Sequence, residues 1–234
     1  MKEPTMHHNV TPLRSSLFER LRRDADILTL IDQADAVLGA LGYTDHGRRH
    51  ATLVAVNASR ILATLGHDAQ ACDLAAVAGL LHDVGNCAGR VSHASAGAVF
   101  VYQLLVARDV DVSDAATIMA AIGNHDEEEH GAAVDAVSAA LIVADKADIH
   151  RSRVRTRRRE DFDIHDKVNH AVIKAELEVH AAAKAIALAL ICDPALAQPG
   201  EILDLFNARF AMSRAAAAVL GCAYTVIIND EPVL

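Results

Sequence analysis

In LLHDVGNCAGRVSH, residues 80–93, His82 and Asp83 stand side by side at the end of an apolar run, Gly85 follows two positions after Asp83, and His93 closes the stretch. An imidazole and a carboxylate at the end of an apolar helix are a poor way to build a core, because unpaired polar groups are costly to bury. They are a good way to grip a cation. Three further donors occur at comparable places: His50 after Tyr43-Thr44-Asp45, His125 in AIGNHDEEE, and Asp145 in AALIVADKADIH. His50, His82, Asp83, His93, His125 and Asp145 thus come from five successive segments, mostly at helix ends that can face one centre. Mixed imidazole and carboxylate donors suit Mn, Fe, Zn, Co or Ni, and Mg is the poorer fit. The absence of cysteine from the set argues against a finger-type structural zinc site. Asp83 can bridge two ions. Water held between such ions loses its proton near neutral pH and attacks phosphorus, so phosphoester hydrolysis is the natural use.

The elements that must position these donors are helical. Apolar residues recur at helical spacing from Ser15 to Leu41, and further helices are expected from Asp45 to about Leu65, Ala69 to His82, Ser95 to Ala107, Ser113 to Gly123 and Ala132 to about Arg153. Beyond the arginines the period changes. VIKAELEVH alternates apolar and polar residues as a half-buried strand does, AIALALICD forms a second strand before Pro194, Gly200 to Leu220 reads as a helix, and YTVIIND as a last short strand. The expectation is a mainly α chain: a polar leader over 1–14, a compact helical metal-binding domain over 15–160, and a small C-terminal α+β appendage over 168–234.

The composition excludes several classes. A net charge of −9 gives no general attraction to nucleic acid. Four cysteines without a framework, Cys72, Cys87, Cys192 and Cys222, fit free thiols in a reducing compartment. MKEPTMHHNVTPL has no apolar signal core, and no apolar run approaches the roughly 20 residues that span a bilayer, so no membrane partner and a cytoplasmic location are expected. His7 and His8 read as tail. His130, His150, His165, His170 and His180 have no partner pattern and read as structural or exposed.

His50, then His82-Asp83, then Asp145 resembles the H…HD…D signature of the HD superfamily of metal-dependent phosphohydrolases, over about residues 43–153. The resemblance implies that His50, His82, Asp83 and Asp145 hold a first metal and that His93 and His125 fill the shell of a second. A dinuclear site is the preferred reading, a single metal the alternative. Asn86 stands where the cyclic-di-GMP-cleaving branch has lysine, and no GYP motif is present, which disfavours that branch. The expected substrate is a small phosphomonoester or phosphodiester, nucleotide-like in character, attacked by a metal-bound hydroxide. Asp83 and Lys146 are the catalytic candidates; His46, Arg49, Lys146 and Arg153 are the substrate-binding ones. A sensor or docking module without turnover is the rival reading, and a di-iron oxygenase a third.

Two charge runs remain. RSRVRTRRR, residues 151–159, places six arginines in nine positions and reads either as a solvated helix end paired to nearby acids or as a phosphate-recognition element. The acidic run Asp126 to Glu129 reads as hydrated, with only Asp126 close enough to His125 to join a site. Alternating C-terminal strands could pair across a two-fold axis into a homodimer.

Overall fold

A computed structural model describes residues 16–156 and 158–234. The 1–14 leader with His7 and His8 lies outside the described residues, as does Arg157. Nine α-helices are seen among them: α1 (Leu17–Leu21), α2 (Ala25–Ala40), α3 (Arg48–Thr64), α4 (Ala69–Leu81), α5 (His93–Val106), α6 (Val112–Gly123), α7 (Ala136–Lys146), α8 (Ile164–Ala171) and α9 (Pro199–Val219). A small sheet follows α8, with strands β1 (Val172–His180), β2 (Ala185–Cys192), β3 (Ala223–Ile228) and β4 (Glu231–Pro232) in that spatial order. β1 and β2 are antiparallel, α9 crosses over to make β3 parallel to β2, and β4 returns antiparallel. The chain is mainly α with a C-terminal α+β part. None of the described helices is long and apolar enough to cross a membrane.

Small residues bring the helices close where the site needs them. α3 and α4 pack together, with Ala51, Ala55 and Ala58 of the one and Ala75, Ala76 and Ala78 of the other all buried. Gly79 is obligatory there, since a Cβ would lie 2.7 Å from the Ala55 Cα. This contact sets His50 of α3 beside His82, which caps α4. A second close approach follows at once. The 3-10 turn Val84–Ala88 lies on the start of α5, and a Cβ on Gly85 would meet the His93 carbonyl at 2.0 Å. Asp83 is thereby fixed between two helix ends.

α7 is the central rod, buried from Val137 through Lys146. Its length corrects the expected Ala132–Arg153 helix. Asp135 caps it through Ser138, and it stops at Lys146, after which residues 147–150 run irregularly into a 3-10 turn at Arg151–Arg153. At the turn the Asp148 amide donates to the Asp145 carbonyl at 3.2 Å, an i→i−3 bond, and the Asp148 carbonyl accepts from Arg153 at 3.0 Å. The expected single helix 15–41 is likewise two, because Asp24 accepts from the Asp26 and Ile27 amides and restarts the helix. α8 was not anticipated; Asp163 caps it, and it leads without a loop into β1.

The outer edge of β1 is taken. Arg60 of α3 donates to the Leu177 carbonyl at 2.7 Å, and His150 Nε2 donates to that of Ile173 at 2.9 Å. The other edge is the two-residue β4.

Candidate metal centre

Four imidazoles converge on one carboxylate. His50 Nε2 and His82 Nε2 lie 3.2 Å apart; Asp145 Oδ1 is 3.3 Å from the first and 3.7 Å from the second, while Asp83 Oδ2 is 3.6 Å and 3.1 Å from them. On the other side of Asp83, Oδ1 lies 3.5 Å from His93 Nε2 and 4.0 Å from His125 Nε2, which are themselves 3.3 Å apart. All six residues are buried, none more than 7% exposed. The two Asp83 oxygens therefore face different donor groups.

These spacings fit metal ligation. Divalent first-row ions sit about 2.0–2.2 Å from N and O ligands, so donors to one ion lie no more than about 4.4 Å apart, and every distance above is within that limit. Tautomers give an independent argument. Every distal nitrogen meets an acceptor: His50 Nδ1 the Asp148 carboxylate at 2.7 Å, His82 Nδ1 the Gly79 carbonyl at 2.8 Å, His93 Nδ1 the Arg90 carbonyl at 3.1 Å, and His125 Nδ1 the Ile122 carbonyl at 2.6 Å. With the protons on Nδ1, the His50 and His82 Nε2 lone pairs face each other, as a shared cation would require, while His93 Nε2, facing that of His125, also lies 3.2 Å from Arg90 Nη1. Asp83 Oδ2 is buried without a hydrogen-bond partner, an orphan that a cation would satisfy.

Electrostatics agree. Burial pushes the Asp83 and Asp145 carboxyls up, but His82 on the one, and Lys146 with His50 on the other, more than offset it and hold both well below the usual carboxylate range. Burial, with His82 and Lys146, lowers His125 to about 3, so it is a neutral donor. Burial also lowers His93. Burial lowers His82, but Asp83 and Asp145 with the Gly79 hydrogen bond more than offset it and raise it, the mark of a position where positive charge is favoured.

The structure also places the remaining candidates. Asp126 joins the second group, its Oδ2 3.4 Å from His93 Nε2 and 2.9 Å from Arg90. Lys146 is buried, its Nζ 2.9 Å from Asp145 and 2.5 Å from Glu127. His46 stands at the mouth, half-buried, with Nδ1 donating to the Thr44 carbonyl at 2.7 Å. Burial and Arg153 hold it well below an ordinary imidazole. Arg153 is buried and donates to the Asp45 and Asp148 carbonyls. Arg49 is not brought to the mouth: it lies behind Asp148, which it grips at 2.8 Å, and lines a different hollow with Leu53 and Asn57.

Several residues were missed by the sequence reading. Asp148, not among the candidates there, is 2% exposed and orients His50; its i+3 spacing from Asp145 was the available signal. The acidic run is largely engaged rather than hydrated, since Glu127 pairs with Lys146 and Glu129 accepts from the Ala94 and Ser95 amides at the start of α5. Of the arginine run, Arg155 pairs with Asp35 and Arg158 with Asp161, both structural contacts. Arg90 and Arg209 line the inner cavity, of about 60 Å³, and the larger one of about 470 Å³ outside it.

Comparison with known proteins places this centre. Residues 48–152 match the family model described as HD domain, an interval that holds all six donors and Asp148. No curated protein matches the chain. Among solved structures, the chain is similar to the crystal structure of a predicted HD superfamily hydrolase from an uncultured Thermotogales bacterium, at 25% identity over 58% of this chain and 75% of that one, with a TM-score of 0.44. The segment that carries the centre, residues 48–152, is an HD domain.

Proposed function

We propose that the protein is a metal-dependent phosphohydrolase, holding two divalent transition metal ions and acting on a small phosphate ester. One observation carries the reading: Asp83 turns one oxygen to His50 and His82, where Asp145 completes the group, and the other to His93 and His125, where Asp126 stands by. When bound, such cations supply Lewis acidity to a phosphoryl oxygen and acidify water.

The chain's own residues supply the rest. Backbone carbonyls and Asp148 lock the four imidazoles so that little reorganisation accompanies catalysis. Lys146 holds the Asp145 carboxylate from its far oxygen, and Glu127 holds Lys146. The apolar body of α7 excludes water from behind. His46 is kept neutral, and with Nδ1 bonded to Thr44 its Nε2 is the group available to accept a proton at the mouth.

The test is direct. Protein purified without chelator should carry Mn, Fe, Zn, Co or Ni and hydrolyse a generic aryl phosphate, and D83A should lose both metal and turnover. A folded D83A protein that keeps metal and activity removes the proposal.

A further inference from the structure

The mouth of the cavity is rich in cations, and nearly all of them are already engaged. Lys146 meets Asp145 and Glu127, Arg90 meets Asp126 and Glu128, and Arg153 lies 3.7 Å from the Asp148 carboxylate. Arg209 differs. Among the described residues it pairs with no carboxylate; its one side-chain bond is Nη2 donating to the Asp145 carbonyl at 3.3 Å, and its Nε is buried without a partner. Its guanidinium carbon lies 5.4 Å from the Phe206 ring centroid, a cation–π contact. It lines both the inner cavity beside Asp83 and Asp145 and the larger cavity outside it.

A guanidinium with a buried, unpaired Nε–H and no carboxylate partner among the described residues, at the junction of these cavities, is open to an anion from outside the protein. Phosphate oxygens match its fork geometry. We infer that Arg209 binds the phosphoryl group of the substrate, so that α9, outside the HD domain, completes the site. The inference rests on the hydrolase reading and narrows it: the substrate is a phosphate ester that fits about 470 Å³, read jointly by the helical domain and the C-terminal part. The arginine that does this is not in the 151–159 run.

Inorganic phosphate is the probe. Calorimetric titration of the protein as purified, with metal content measured in parallel, should show R209A weakening phosphate binding tenfold or more, R209K recovering part of it, and R214A, on an exposed position of the same helix, leaving it unchanged. All should hold the same metal per chain. R209A binding phosphate within twofold of the unsubstituted protein overturns the inference, and so does an unsubstituted protein that binds no phosphate at millimolar concentration. Metal lost from R209A and R209K alike also overturns it, since Arg209 would then act by holding the Asp145 backbone. Aryl phosphate hydrolysis that survives R209A unchanged but vanishes in D83A sinks the inference and leaves the hydrolase reading standing. Arg209-dependent phosphate binding in a protein that hydrolyses no phosphate ester does the reverse.

Discussion

Asp148 touches no donor atom aimed at the centre, yet D148N should impair the site measurably. Asparagine keeps the shape and one acceptor for His50 Nδ1, now 2.7 Å from a carboxylate oxygen. What disappears is the charge that makes His50 a strong donor and balances Arg153 and Arg49. Changes to partners of metal ligands commonly weaken metal binding about 10- to 100-fold, or about 1.4–2.7 kcal/mol. Stability falls too. Breaking a buried ion pair costs about 3–5 kcal/mol, but Arg49 is 37% exposed and Arg153 keeps two carbonyl acceptors, so about 2–3 kcal/mol is expected. At this chain length that is a Tm drop of about 5–10 °C. Chelator-competition titration gives the metal affinity, and calorimetry of the chelated protein the stability. D45N is the control, removing a charge that also faces Arg49 without touching an imidazole, and it should leave metal affinity within about threefold. Folded D148N protein with the affinity of the unsubstituted protein would refute the orienting role.

Two further outcomes follow from geometry and charge. G85A forces a Cβ to 2.0 Å from the His93 carbonyl, so the turn must leave α5; urea unfolding should show a loss above about 3 kcal/mol together with lost metal, and an unchanged midpoint would show that this close approach is dispensable. His125, lowered to about 3, is neutral in the folded protein while an unfolded imidazole protonates near 6.5. The unfolded state therefore binds the extra proton below 6.5, and the chelated protein loses stability as pH falls, about 2 kcal/mol by pH 5 from this group alone. H125N should flatten the fall in urea midpoint between pH 7.5 and pH 5; equal slopes for the two proteins would contradict the assignment.

How much of this was legible in the sequence depends on range. His82-Asp83 at the end of an apolar run, and a carboxylate inside the apolar helix at Asp145, are local conflicts with core building, and such conflicts mark sites. The strands announced themselves by their period of two. What stayed hidden depends on contacts between distant segments. Asp148 and Glu127 look like surface charge until α3 and α7 are packed, because only then do His50 and Lys146 claim them. The end of α7 was misplaced because helical periodicity continues to Arg153, whereas the chain turns after Lys146 and its Asp148 carbonyl accepts from the Arg153 side chain. Arg209 carries no local signal at all: it sits 64 residues beyond Asp145 in a helix whose pattern is ordinary.

The charge inventory around the donors decides what the centre can attract. Asp83, Asp126, Asp145 and Glu127 are four carboxylates in a buried or half-buried shell, faced by the two cations Lys146 and Arg90. Asp148 and Asp45 are separately matched by Arg153 and Arg49. The shell is therefore short of positive charge by two. A single divalent ion would bring it to neutrality, leaving Arg209 as the one net attraction for an anion. A second ion would leave a positive centre of charge two, enough to compensate a phosphate dianion in a site from which water is largely excluded. Metal stoichiometry and phosphate affinity should then rise together, and a protein loaded with one ion should depend on Arg209 more heavily than one loaded with two.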